Sequence, residues 1–160
     1  MGAFIALGHW QWQRGVARQH SRDAFAQTDV AAREAALQDI ATLPAYTRIR
    51  VTGQWDIARQ FLLDNISHGG APGYNVLTLL RLPEGGTLLV NRGWVPFSGY
   101  RDRLPDITLA HDAPVTVSGR LAGLPVGGLS AGRQPPPLEG SWPRVTSFPT
   151  LEELGRSAGV

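Results

Sequence analysis

At 160 residues, with 42% hydrophobic and 18% charged residues, the chain has room for one ordinary core and lacks the charge excess of a disordered polymer. Its 15 basic residues are all arginine and face 13 acids, so a formal charge of only +2 excludes the basic surplus of a nucleic-acid binder. The absence of cysteine excludes disulfides, thiol catalysis, thiolate metal sites and covalent haem attachment, and is compatible with either the periplasm or the cytosol.

The chain opens on an apolar run, Met1 to Leu7, too short to cross a bilayer by itself, since a spanning helix takes about 20 residues. Trp10, Gln11, Trp12 and Gln13, then Arg14, Arg18 and Arg22, follow as the aromatic and polar flank of a membrane helix would. The same residues fit a soluble amphipathic helix whose tryptophans pack on the domain. Residues 3–40 contain no proline and are rich in alanine, and Arg14, Arg18 and Arg22 share one helical face, so they read as helix, broken near 27–29. Asp29 caps a second piece that runs to Ile40, and Leu43-Pro44 ends it.

Beyond Pro44 the hydrophobic period becomes two. In Arg48-Ile49-Arg50-Val51-Thr52 the aliphatic residues point one way and the polar ones the other, which predicts a strand over 47–52 that Gly53 ends or bulges. Further strands are predicted over 60–66, 74–82, 87–92, 115–121 and 144–148, with Pro83-Glu84-Gly85-Gly86 turning a hairpin between the third and fourth. Residues 123–140, rich in glycine and proline, read as a surface loop, and Thr150 caps a short helix that Gly155 or Gly159 stops. The expected fold is α+β but mainly β: an N-terminal helical segment over 1–43, then a β domain over 44–160. That domain holds an antiparallel sheet of about six strands, curled into a barrel to remove its edges, and a short C-terminal helix.

Catalytic signatures find little support. Gly128-Leu129-Ser130-Ala131-Gly132 matches a nucleophile elbow, but prolines surround it and no histidine follows His111. His9, His20, His68 and His111 are too scattered for a metal cluster, no lysine is present for a phosphate loop, and no carboxylate pair suggests acid–base work. The expectation is a chain with no catalytic residues and no metal ligands.

Two segments stand out by residue choice. The first runs from Leu7 to Arg14, where His9 either offers an imidazole to haem iron or is an interfacial histidine. The second is Val90-Asn91-Arg92-Gly93-Trp94-Val95-Pro96. There Gly93 allows a positive φ or a close approach, Trp94 supplies an apolar plate, and Arg92 can hold a carboxylate or propionate by two parallel hydrogen bonds. The alternative is a strand-end corner in which Arg92 pairs with an acid such as Asp64 and Trp94 plugs the barrel.

With these segments the chain resembles the Surfeit-locus family of cytochrome oxidase assembly factors, including its yeast Shy-type members. Gly8, Trp10, Gln11 and Arg14 meet the pattern Gly-x-Trp-Gln-x-x-Arg. Arg50-Val51-Thr52-Gly53, Leu62-Leu63-Asp64-Asn65, Pro72-Gly73-Tyr74 and Val90 to Pro96 follow in family order. Ile66 stands where members often carry arginine, Leu79 where proline is common and Arg18 where lysine is common.

The resemblance implies a non-catalytic accessory factor for haem-copper oxidase, acting around haem a insertion into the catalytic subunit. Its implied partners are that subunit, other assembly factors and the membrane, with no nucleic acid. It also implies a transmembrane helix at each end of the domain, which the weakly bacterial look of the chain would place on the periplasmic side of the inner membrane. Arg14, Arg18 and Arg22 alone would favour the cytoplasm by the positive-inside rule, but a second anchor, Asp23 and Asp29 weigh against them. The family's C-terminal anchor carries a histidine associated with haem, and no counterpart occurs up to Val160. No cofactor is therefore assigned to these 160 residues, with haem a expected only of a longer, two-anchor protein. The expected contact residues are His9 and Arg92 for haem, and Trp10, Gln11, Arg14, Asn91, Arg92, Gly93 and Trp94 for a partner or a structural corner. The alternative function is a scaffold that docks oxidase subunits without touching haem.

Overall fold

A computed structural model describes residues 32–109, 113–125, 141–147 and 149–160. Among them lie β1 (Arg33–Glu34), α1 (Leu37–Ile40), β2 (Arg48–His68), β3 (Ala71–Arg81), β4 (Thr87–Pro96), β5 (Val115–Arg120), β6 (Arg144–Thr146) and α2 (Leu151–Ala158). The strands form one mixed sheet in the order β1-β2-β3-β4, with β5 and β6 also paired to β2. Two compact units divide the chain: Met1–Val51 with Ser118–Ala122, and Thr52–Val117 with Gly123–Val160.

In the first unit, the expected alternation holds, with Ile49 and Val51 buried and Arg48 and Arg50 exposed. Arg33 and Glu34 pair in parallel with Ile49 and Arg50, and the Ala35 amide donates to Arg50 O at 3.2 Å. This corrects the helix expected there: Ala36 is extended, and α1 occupies only the last turn of the span that Asp29 was to cap. Backbone pairing along β2 outweighs the helix propensity of an alanine-rich stretch, which is worth only tenths of a kcal/mol per residue. The remainder of the expected N-terminal helix, residues 1–31, lies outside the described residues, as does most of the 123–140 loop.

The second unit is built on β2, β3 and β4. The strands expected over 47–52 and 60–66 are one element, because β2 passes through Gly53 without stopping. A Cβ at Gly53 would lie 2.5 Å from Arg81 O, so this glycine permits close approach of β3. Gly69 and Gly70, both with positive φ, close the two-residue hairpin from β2 to β3, and Gly85 and Gly86 close the expected one from β3 to β4.

The β2–β3 pair carries buried residues on both faces. Phe61, Leu63, Leu77 and Leu79 pack on one face against Leu154 and Ala158 of α2, while Leu62, Tyr74 and Val76 pack on the other against Ile107. Helix α2 matches its expectation. Thr150 Oγ1 accepts from the Glu153 amide, Glu153 accepts from the Thr150 amide at 2.7 Å, and Gly159 ends the helix at φ 74°.

The sheet is not closed into a barrel, and it is not wholly antiparallel, since β1 and β6 both run parallel to β2. β2 changes partners along its 21 residues, and a register shift between Trp55 and Gln60 breaks its ladder with β3. The long connection before β6 leaves room for a parallel crossover, and strands as short as β1 and β6 leave little edge to protect.

Candidate functional site

Three segments far apart in sequence meet on neighbouring strands of the second unit. Leu62 pairs with Val76, Leu63 with Asn75 and Ile66 with Gly73 across β2 and β3, while Gly73 to Val76 face Pro96 to Gly93 on β4. Packing explains most of what they hold. A Cβ on Gly73 would collide with the Trp94 ring and Val95 O, so only glycine admits the indole there. Trp94 Nε1 donates to Ile66 O at 3.0 Å, and the His68 ring lies 5.5 Å from the indole, so Trp94 braces a strand corner and plugs no barrel. Asn65 adopts φ 62°, where its amide donates to Asp64 Oδ1 at 2.8 Å and its side-chain Nδ2 to Ser147 Oγ at 3.3 Å. Tyr74 is buried, which pushes its phenol up from its ordinary pKa, and the nearby Asp64 charge adds to that. Beside this corner, Asp64, Gly73, Phe97 and Arg101 help line an open cleft of about 340 Å³.

Arg92 is not explained by packing. Val76 pairs with Gly93 and Leu77 with Asn91, so Arg92 is the extra residue of a bulge. Gly93 takes φ 120°, the positive value its residue type allows, and its amide donates to Asn91 Oδ1 at 2.9 Å. The bulge carries Arg92 Nη1 to Gln60 Oε1 at 2.8 Å and Ile107 O at 3.2 Å, with Thr78 Oγ1 at a long 3.5 Å. All three acceptors are neutral. The expected alternative partner, Asp64, is instead 3.4 Å from Arg101, and among the described residues no carboxylate forms an ion pair with Arg92. Arg92 remains exposed as a residue, yet loss of water around its head group lowers its pKa from the usual arginine value.

A second cluster escaped the sequence reading. The Asp56 side chain is only 2% exposed, and its Oδ2 receives Arg59 Nε and Arg81 Nη2, each at 2.7 Å. Arg59 Nη1 continues to Ala158 O, tying the β2 bulge to the end of α2. Burial pushes the Asp56 carboxyl up, but hydrogen bonds and charge from Arg81 and Arg59 outweigh this and hold it below the usual carboxylate range. The available signal was Asp56 and Arg59 at i, i+3 in a stretch left between two predicted strands.

His9, Trp10, Gln11, Arg14 and Ser130 lie outside the described residues. Among the described residues no group of three or more His, Asp or Glu side chains is arranged to hold a metal ion. The described residues offer a guanidinium oriented by neutral acceptors, and an open cleft lined by Asp64 and Arg101.

Searches of curated proteins and of solved structures returned no match. The model of the SURF1 family matches residues 1–159, and the chain belongs to that family of cytochrome oxidase assembly factors, which is an assembly rather than a catalytic family.

Proposed function

We propose that this chain serves cytochrome oxidase assembly as a non-catalytic binding factor that acts around haem a insertion into the catalytic subunit. Flanking anchors hold it at the bacterial inner membrane with the domain facing the periplasm. Family membership supports the assembly role. Among the described residues no helix is long and apolar enough to cross a membrane, so support for anchoring comes from the family likeness and from Trp10, Gln11 and Arg14.

The observation that carries the haem reading is Arg92, a half-open guanidinium mounted on a bulge among neutral acceptors. A propionate supplies the missing anion through parallel N–H···O bonds, and burial of the apolar macrocycle supplies the rest of the affinity. His9 is the candidate axial imidazole from this chain.

Titration of haem a into the full two-anchor protein, followed by the Soret band, tests this. Arg92→Ala is expected to weaken binding by about tenfold, the loss of one charge-assisted contact. Unchanged affinity removes Arg92 from the haem contacts. Capture of the oxidase catalytic subunit by a haem-free preparation, undiminished in the Arg92→Ala variant, would favour docking without haem.

A further inference from the structure

We infer that Gln60 and Thr78 are positioning residues that hold the Arg92 guanidinium ready for a carboxylate, which makes the β4 bulge a built carboxylate-binding site. The inference rests on the reading that the chain works by binding, and it does not require the ligand to be haem.

The buried polar pair is the first support. Gln60 is 6% exposed and Thr78 is fully buried, on strands whose other fully buried side chains are Phe61, Leu62, Leu63, Leu77 and Leu80. Thr78 Oγ1 donates to Gln60 Oε1 at 2.9 Å, and Gln60 Nε2 donates to Ile57 O at 3.2 Å. The amide is thereby oriented from both ends, and its oxygen is presented to Arg92 Nη1. Apolar residues of the same shape would fill this space without desolvating polar groups. The network has one evident product, a fixed guanidinium.

Its charge is left uncancelled, which is the second support. Gln60, Thr78 and Ile107 O supply lone pairs and no negative charge, and among the described residues no acid pairs with Arg92. All the side-chain hydrogen bonds of Arg92 among the described residues use Nη1. The Nε and Nη2 edge, whose parallel N–H bonds match a carboxylate, has no partner among the described residues. A single planar fork matches a carboxylate better than a phosphate, which gathers several donors.

The bulge is the third support. Extra strand residues re-aim a side chain out of the sheet alternation, and this one costs a positive φ at Gly93 and a dedicated acceptor from Asn91.

The test uses the 160-residue chain with nitrogen-15 label and no haem. Sodium propionate, propylammonium chloride and sodium phosphate are titrated at fixed ionic strength while the Arg92 Nε–H and Nη–H resonances are followed. Propionate is expected to shift Arg92 saturably, propylammonium not at all, and phosphate more weakly than propionate. Gln60→Met and Thr78→Val are expected to merge the separate Nη signals, as rotation about Cζ–Nε becomes free, and to weaken propionate about threefold to tenfold. Asn91→Ala, at an exposed position, tests the bulge without touching the core and is expected to weaken propionate as well. Loss of thermal stability with unchanged guanidinium rotation and propionate affinity would reduce Gln60 and Thr78 to structural residues and overturn the inference. So would a silent Arg92 in the parent chain, or tighter binding of phosphate. Since haem is absent, failure here leaves the haem titration standing, and a failed haem titration leaves this result standing.

Discussion

Two bulges on one sheet handle arginine in opposite ways. At the β2 bulge, Asp56 is almost fully buried between Arg59 and Arg81, and the anion and its cations close on one another. At the β4 bulge, Arg92 meets an amide oxygen, a hydroxyl and a backbone carbonyl, and its charge stays open to an incoming group. The difference separates a fastening from a receptor. At the first the buried carboxylate is saturated by its own cations, whereas a cation oriented by neutral acceptors keeps most of its Coulombic attraction for a partner.

Removing the anion at the closed bulge should therefore have the largest effect on stability. Asp56→Asn keeps the shape but strips the charge that Arg59 and Arg81 were brought to meet, at an expected cost of about 3 kcal/mol in urea unfolding. The same site sets an acid limit. Because the folded state holds the Asp56 carboxyl below its ordinary value, its contribution is complete above about pH 4 and lost as pH falls through that lower value. The urea midpoint of the parent chain should fall more steeply on acidification than that of Asp56→Asn. Parallel pH profiles would mean that the cage does not hold the fold.

Next in size is the corner beyond the β4 bulge, where Gly73 faces Trp94 and Val95. Gly73→Ala sets a Cβ against the Trp94 ring and Val95 O, and overpacking of this kind costs about 2 kcal/mol. Trp94→Phe at the same corner leaves Ile66 O without the indole donor and should cost about 1 kcal/mol, as read by thermal unfolding. If both variants were as stable as the parent, the corner would not be fixing the strand ends that carry Arg92.

How much of this could be read in advance differs along the chain. The hairpin at Pro83 to Gly86, the Thr150 cap and the alternation of Ile49 and Val51 are local patterns, and each appears as the sequence implies. Of the two roles open to Gly93, a positive φ or a close approach, it takes the positive φ, and a Cβ there would meet nothing within 4 Å. Gly53 misled because a strand-ending glycine and one that admits a neighbouring strand look alike until Arg81 O is in place. Strand β1 was invisible because an Arg-Glu pair in an alanine-rich stretch has no strand signature, and its partners lie in β2. The acceptors of Arg92 were hidden for a related reason: Gln60, Thr78 and Ile107 lie up to 47 positions apart, and only the folded chain brings them together.

The smallest stability change should come from the residue with the strongest claim to function. Arg92→Met removes the charge and keeps the stem, while Thr78 still donates to Gln60 Oε1, so only Ile107 O is left short of a partner. Loss of that contact costs about 1 kcal/mol or less, and relief of the dehydrated cation, whose pKa burial lowers, offsets part of it. Urea unfolding should place Arg92→Met close to the parent chain and far above Asp56→Asn, while propionate no longer binds. A loss as large as that of Asp56→Asn would make Arg92 a second fastening, and the contrast between the two bulges would collapse.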